Sequence, residues 1–592
     1  MHHARTPTLR CALACLLLLG CLPGLVFAGP KNKTKAAPAP CKAEEDKPTF
    51  DHRPVLLKAM EAELQRSMSS LRIEGFEAPY FMAYELEETQ SNRVQARSGS
   101  LDSAGGGKNR RLRVEVRVGN HELDNMGRKE QAFDFSFTPG YRAPRHGPLD
   151  DDALALRNAF WLVTDETYKA ALKSYLKLKS ARVTEVEVDE FAGSFTKEKP
   201  ATYQGPVLPI EFDRERWERL ARTASARFES HPDIFDHAVS VDGSKQVRYL
   251  VTSEGTRIVD ELVLFNLSVT ANTRAEDGML LTDQLTLYSK DGAGMPDEKS
   301  VLAKVDQVIT DLEALRKAPV LEPYTGPCIL DGEATGVLFH EVIGHRLEGE
   351  RQLDDEEGKT FKGQIGKQII PPFLSVIDDP TLPAIDGVAL NGFYRFDDEG
   401  VPAQRAELIA KGVLKSFLMS RTPLKGFLQS NGHGRSSGGE MPRARMGNTL
   451  VVSDRQVPFA RLKEMLIEEV KRQGKPYGLI LKNIVGGSTH TSTWGYQAYK
   501  GTPQMVYRVF PDGREELVRG VEIVGTPIAS INKIVATSDR TATFNGFCGA
   551  ESGYVPVSTS APDVLMTEIE LQRVMKQGAK PPLLSSPWNG LH

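Results

Sequence analysis

Cysteine is scarce in this chain: there are six in 592 residues, and three of them, Cys11, Cys15 and Cys21, crowd into the first 28. That excludes a scaffold stapled by dense disulfides. Charge of one sign is missing too. Seventy-four Lys and Arg against 78 Asp and Glu leave a formal net charge of −4, and no long basic run occurs, so a nucleic-acid partner is not expected. Beyond the N-terminal stretch no apolar run approaches the roughly 20 residues a helix needs to cross a bilayer, which argues against a membrane span. Internal repeats are also lacking, which excludes a solenoid. What remains is ordinary globular composition, 40% hydrophobic and 26% charged, in a chain longer than one core usually organises. Two or more domains are therefore expected.

The first 28 residues read as a signal peptide. Arg5 and Arg10 precede an apolar stretch from Cys11 to Leu19, Pro23 and Gly24 break it, and Val26-Phe27-Ala28 ends in the small residue a signal peptidase requires. The expected product is exported, periplasmic or secreted. Leu18-Leu19-Gly20-Cys21 loosely fits a lipobox, but the segment after Cys21 stays apolar where a polar tether would follow a lipid anchor. Residues 29–47, rich in Lys, Ala, Pro and Glu, read as a disordered tether. Cleavage after Ala28 leaves Cys41, Cys328 and Cys548, an odd number that one metal-bound thiolate would account for.

Residues 48–318 read as an α+β domain of α/β type containing an antiparallel meander. Pro54 opens an amphipathic helix with Leu57, Met60 and Leu64 at helical spacing. Leu112, Val114, Val116 and Val118 alternate with charged neighbours as a strand does. Helices follow over 152–179 and 214–228; Asp242-Gly243 between apolar runs signals a hairpin, and the residues to Leu287 look like a meander. A helix carrying Val301, Val305, Val308 and Leu312 leads to Pro319 and Pro323, where the boundary is placed. Residues 319–592 read as a mostly β domain. In it, a helix capped by Asp331 follows Cys328-Ile329-Leu330, a second helix runs from Pro458 to about Gly474, and the strand with Leu565, Ile569 and Leu571 closes the domain.

The segment with chemistry in it is His340-Glu341-Val342-Ile343-Gly344-His345. Two neutral imidazoles and a carboxylate are what a catalytic zinc site uses: nitrogens for the metal, Glu for the proton of the attacking water. In a regular helix, residues five apart are rotated by roughly 500°, about 140° out of alignment, so the two rings would diverge. A π-bulge restores a common face, and Gly344 is the residue best able to relax the backbone for it. The plain alternative is an amphipathic helix with two unrelated histidines.

The surrounding sequence resembles the TldD/PmbA family of metallopeptidases. Besides the HExxxH helix, the resemblance rests on Ser375-Val376-Ile377-Asp378-Asp379-Pro380-Thr381-Leu382-Pro383, Asp397-Asp398-Glu399-Gly400-Val401-Pro402, Arg443-Ala444-Arg445-Met446-Gly447-Asn448-Thr449, Gly486-Gly487 and Phe547-Cys548-Gly549, in matching order and spacing. It implies Zn2+ bound by His340, His345 and Cys548, with Glu341 as general base, and hydrolysis of unfolded or extended peptides inside a homodimer or a heterodimer with a related subunit. A thiolate between glycines and a soft sulfur donor both suit zinc. A buried free thiol is the alternative for Cys548, and a non-hydrolytic binding or modulator subunit with a structural metal is the alternative for the whole chain.

Other groups in the chain compete with these. His433 and His490 lie in loops, where histidines are usually solvated. Glu348 and Glu350 are either orienters of the imidazoles or a charged helix end. Cys328 sits in an apolar run and reads as core. Gly434-Arg435-Ser436-Ser437-Gly438 has the spacing of a nucleophile elbow, but glycine-rich loop surrounds it where a strand-to-helix turn is needed. Gly105-Gly106-Gly107-Lys108 is followed by Asn109 where a phosphate loop needs Ser or Thr, and reads as a hairpin loop.

Overall fold

The computed structural model describes residues 51–126, 145–182, 192–353, 359–492, 499–574, 582, 584 and 586–590. The leader, the tether and Cys41 lie outside the described residues. From His52 onward the chain packs as one compact unit, built on two large sheets that divide the sequence between them.

The first sheet has seven strands, dominated by the hairpin Pro79–Arg97 with Ser100–Val118 and, beside it, the antiparallel meander Asp236–Thr252, Arg257–Arg274 and Leu280–Ser289. Leu112, Val114, Val116 and Val118 form one buried row, as their alternation predicts, and pack against helices α1 (Arg53–Ser70) and α2 (Ala153–Arg182). The apolar stripe of α1 is Leu56, Ala59, Met60 and Leu64 at three- and four-residue spacing; Leu57, expected in it, lies at its margin. Helix α3 (Arg214–Ala226) buries Trp217, Leu220, Ala221 and Ala224.

Two expectations fail here, both at glycines. Asp242-Gly243 is no turn: it lies inside the Asp236–Thr252 strand and is paired on both sides, with Phe212 and Phe265 rings standing where a Cβ would be. The Gly105–Gly107 run is no loop, because it is extended within Ser100–Val118 opposite Ser91, Asn92 and Arg93, and the hairpin turns instead at Ser98 and Gly99, both with positive φ.

Helix α4 (Glu298–Lys317) starts at Asp297, whose carboxylate accepts from the Ser300 amide, and buries Val301, Val305, Val308 and Leu312 as expected. It spans the gap between the last strand of the first sheet, ending at Ser289, and the first strand of the second, Tyr324–Leu330. The second sheet has twelve strands. Tyr324–Leu330 runs parallel to Gly478–Thr489 and antiparallel to Gly553–Arg573, which in turn forms a long hairpin with Ile534–Ala550. Gly478–Thr489 pairs antiparallel with Tyr499–Val509. Helix α5 (Gly332–Phe339) lies in the main core of this half, and helix α6 (Phe459–Arg472) buries Leu462, Leu466 and Val470 against Ile329, Ile480 and Leu565. The molecule is thus α+β, with a meander in its N-terminal half and a mostly β C-terminal half that carries the His340 segment. No helix of the described residues is long and apolar enough to cross a membrane.

Candidate metal centre

The start of α5 is pinned twice. The Asp331 carboxylate accepts from the Ala334 amide at 2.8 Å, and the Gly332 amide donates to Asp563 on the Gly553–Arg573 strand at 2.9 Å. From this anchor the helix runs to Phe339, continues as a π turn over His340–Gly344, and tightens to a 3-10 turn over His345–Leu347. The extra residue in the turn brings positions five apart onto one face. The two imidazole centroids stand 5.1 Å apart with their planes at 87°. Gly344 plays a different part from the one expected: at φ −55° and ψ −57° its backbone is ordinary helix, and it is the Met446 side chain that leaves no room for a Cβ.

Cys548 arrives from the other end of the chain on the strand Ile534–Ala550, opposite Val555. Its Sγ lies 3.4 Å from His345 Nε2, and the donor atoms of His340, His345 and Cys548 all fall within 4.8 Å of one another. A tetrahedral zinc with Zn–N of about 2.0–2.1 Å and Zn–S of about 2.3 Å holds nitrogen and sulfur about 3.5 Å apart. His340 Nδ1 is buried without a hydrogen-bond partner among the described residues. Two imidazoles and one thiol at these separations, one of them with an orphaned nitrogen, fit a zinc ion.

The surrounding charges favour the donor forms. Burial works against a Cys548 thiolate, but the His345 and His340 rings outweigh it and hold the thiol well below its ordinary value. Burial also opposes charge on His345, yet Glu348 and then the Cys548 sulfur lift it to about 10. Glu348 is itself brought down to about 2, burial being overcome by His345, Arg351 and Arg445. A bound cation would take the place of the protons these groups hold between them. Glu348 Oε1 accepts from His345 Nδ1 at 2.9 Å and Oε2 from Arg351 Nε at 2.7 Å, so the carboxylate fixes the ring with Nε2 toward Cys548.

Of the two carboxylates weighed as orienters, Glu348 is therefore the one that acts; Glu350 turns to Ser420 and the Ala444 amide. His433 is buried rather than solvated, held by Asn431 and, at 3.3 Å, by Asp378. His490 is exposed, and its carbonyl accepts from Arg346. Cys328 is a buried core thiol, pushed up by burial. Gly434–Arg435 forms a two-residue strand with Arg443–Ala444 and no helix follows, so the elbow reading fails on geometry.

Sequence reasoning missed the arginines. Arg445 donates to the Cys548 carbonyl at 2.7 Å and to its Sγ at 3.1 Å. Arg346 reaches back to the Glu341 carbonyl and across to Thr489 Oγ1, both at 3.0 Å, tying the π turn to the Gly478–Thr489 strand. Arg351 bridges Glu348 to Glu551. Arg445 belongs to a segment that carries the family resemblance, but its charge alone gave no sign of which anion it serves.

A mostly β half thus folds a distant thiol onto a π-distorted HExxxH helix and brings together three donors suited to one metal ion. Residues 323–573 match the family model described as the PmbA/TldA metallopeptidase C-terminal domain. Among curated relatives, a metalloprotease of Archaeoglobus fulgidus is 34% identical over 40% of this chain and 51% of its own length. A metalloprotease TldD homolog of Haemophilus influenzae is 28% identical over 41% and 47%. A zinc metalloprotease TldD homolog of Saccharolobus solfataricus is 26% identical over 61% and 76%. The chain spans about half the length of the Archaeoglobus and Haemophilus relatives. Among solved structures, a Thermotoga maritima protein described as a modulator of a DNA gyrase aligns with a TM-score of 0.59 at 14% identity, over 87% of this chain and 99% of that one. TldE of Thermococcus kodakarensis aligns at 0.57 and 14%, over 87% and 100%. At that identity these two define the fold only.

Proposed function

We propose that the chain is a zinc-dependent peptidase acting on unfolded or extended peptides, with His340, His345 and Cys548 holding the metal and Glu341 serving as general base. The observation that supports it most is the convergence of two imidazoles and a thiol, 203 residues apart in sequence at His345 and Cys548, beside a glutamate on the same turn. A bound zinc supplies Lewis acidity, polarising a carbonyl and lowering the pKa of water. Glu341, mostly buried, rests against the Gly487 backbone and is held in place by the Arg346 contact to its own carbonyl. It takes a proton from the attacking water and returns it to the leaving amine. An extended substrate gripped through backbone pairing at a strand edge suits broad sequence tolerance. The active form is a pair, with a second copy or a related subunit, and the protein is exported after cleavage at Ala28.

Cleavage of a denatured protein by the wild type, by Glu341→Gln and by Cys548→Ser, with metal content measured on each, tests this. We expect Glu341→Gln to keep its zinc and lose cleavage, and Cys548→Ser to lose both. Equal cleavage by the wild type and Glu341→Gln, or none in either with zinc present, supports the binding subunit with a structural metal instead. Cell fractionation and N-terminal sequencing check the export.

A further inference from the structure

Tyr499, the first residue of the strand Tyr499–Val509, is 1% exposed, yet its phenol oxygen has no hydrogen-bond partner among the described residues. Leaving a buried hydroxyl unmade costs about 1–3 kcal/mol, and buried tyrosines ordinarily avoid it. Others in this protein do: Tyr324 donates to the Pro327 carbonyl and Tyr84 to Ser67.

The strand register shows where this phenol points. Across the antiparallel pair, Tyr499 faces Thr489 and Gly501 faces Gly487, so the four residues share one face of the sheet. On that face the Tyr499 ring lies back along its strand, with its hydroxyl where a Cβ on Gly501 would stand. A Cβ on Gly487 would stand 2.7 Å from Glu341 Cγ and 3.0 Å from its Oε1. Directly opposed positions in such a pair have Cβ atoms about 4.5–5.5 Å apart. The hydroxyl and the Glu341 carboxylate are therefore neighbours over a floor of two glycines, each glycine making room for one of them. Burial and then the Glu341 charge keep the phenol protonated far beyond neutral pH, so it is a donor and never a base.

We propose that Tyr499 is a catalytic residue of the hydrolysis, its neutral O–H donating a hydrogen bond to the scissile carbonyl oxygen as that oxygen becomes negative. The inference rests on the peptidase reading above. In the first step a water oxygen bonds to the carbonyl carbon, one water proton goes to Glu341, and the carbonyl π pair moves onto the oxygen, which Tyr499 holds without transferring its proton. In the second the carbonyl re-forms, the C–N bond breaks with its electron pair going to nitrogen, and Glu341 gives the proton to the amine. Preorganised donors of this kind are worth about 10²–10³ in kcat.

The test uses the metal-loaded full chain and its Tyr499→Phe variant, with a denatured protein as substrate and a phosphinic peptide as a mimic of the tetrahedral oxyanion. We expect kcat to fall about 10²–10³-fold with KM and metal content unchanged, and phosphinic-peptide affinity to fall by a like factor. A kcat within twofold of the wild type overturns the assignment. So does a loss of kcat accompanied by loss of metal or of folded protein, which marks a structural phenol, or a mere shift of the acid limb of the pH profile, which marks a hydrogen bond to Glu341 alone. Should the wild type cleave nothing, the peptidase reading fails by itself; Tyr499 is then judged by the phosphinic peptide, and equal affinity in both proteins overturns it.

Discussion

Glu348 shows how much one side chain decides at this centre. It binds the far nitrogen of His345, pairs with Arg351, and stands 3.5 Å from Arg445, whose guanidinium also reaches the Cys548 sulfur. Removing its charge frees the ring to turn and leaves two arginines facing each other across the gap. We predict that Glu348→Gln weakens metal binding about 10–100-fold, read by competition with a chromophoric chelator, while the fold survives. Gly344 sets a steric condition beside it. Because Met446 occupies the place of its missing Cβ, Gly344→Ala should destabilise the protein by about 1–3 kcal/mol, and Met446→Ala on top of it should return part of that loss in denaturant titrations. At this scale the sequence was readable wherever the chemistry was contiguous. His340, Glu341 and His345 stand within one turn, and their five-residue spacing forecasts the π geometry. Cys548 comes from a strand 203 positions beyond His345, and only resemblance could connect them. Nothing in the composition around Arg445, Arg346 or Tyr499 separates them from other arginines and tyrosines, since their meaning depends on which strand lies opposite.

Elements followed their periodicity where one face met a core, as in α4, α6 and the row from Leu112 to Val118, and departed from it at glycine. Asp242-Gly243 has the composition of a turn, but it continues as strand because two aromatic rings pack on the bare backbone. Local turn preference is small beside the burial those rings gain. The strand Leu280–Ser289 shows the opposite conflict. Its Asp283 is 1% exposed, with Oδ1 unpartnered among the described residues; burial first, and Asp311 of α4 second, push its carboxyl up to about 7. An acid whose folded pKa lies above its unfolded value binds its proton more tightly when folded. Its contribution to stability is therefore intact below about pH 4 and is lost as pH rises toward 7, amounting to a few kcal/mol. Asp283→Asn, which is neutral at every pH, should unfold at higher temperature than the wild type at pH 8 and show little or no gain at pH 4. An equal gain at both values would mean that charge at this position is not what limits the strand.

Across the whole molecule, the two halves meet through apolar contacts, such as Phe396 against Tyr203, and through a set of polar groups. Arg248 of the first sheet pairs with Asp398 and donates to the Phe396 carbonyl at 3.0 Å; Arg395 meets Asp260 at 3.2 Å; and Arg421 meets Glu254 at 2.8 Å and the Thr196 carbonyl at 2.6 Å. Arg113 crosses as well, to the Asp398 carbonyl at 3.2 Å, while the other buried charges of its strand, Glu115 and Arg117, pair with each other and Asp124. Such pairs add little net stability while intact, because desolvation offsets their attraction, but losing one partner strands the other. Glu399 sits in the same seam with its carboxyl held well above the usual range by burial and then by Asp397, so charge on it is disfavoured, and it accepts from the Arg421 amide at 2.6 Å. The two neighbouring acids should therefore differ in how much their removal costs. Glu399→Gln keeps an acceptor and leaves the thermal transition where it was. Asp398→Ala removes the carboxylate paired with Arg248 across the seam and should cost about 3–5 kcal/mol. Calorimetry should then show the N-terminal half melting ahead of the half that carries the metal centre, where the wild type melts in one step. A single, merely lowered transition in Asp398→Ala would mean instead that apolar contacts such as Met505 in the core of the first sheet, rather than the ionic seam, couple the halves.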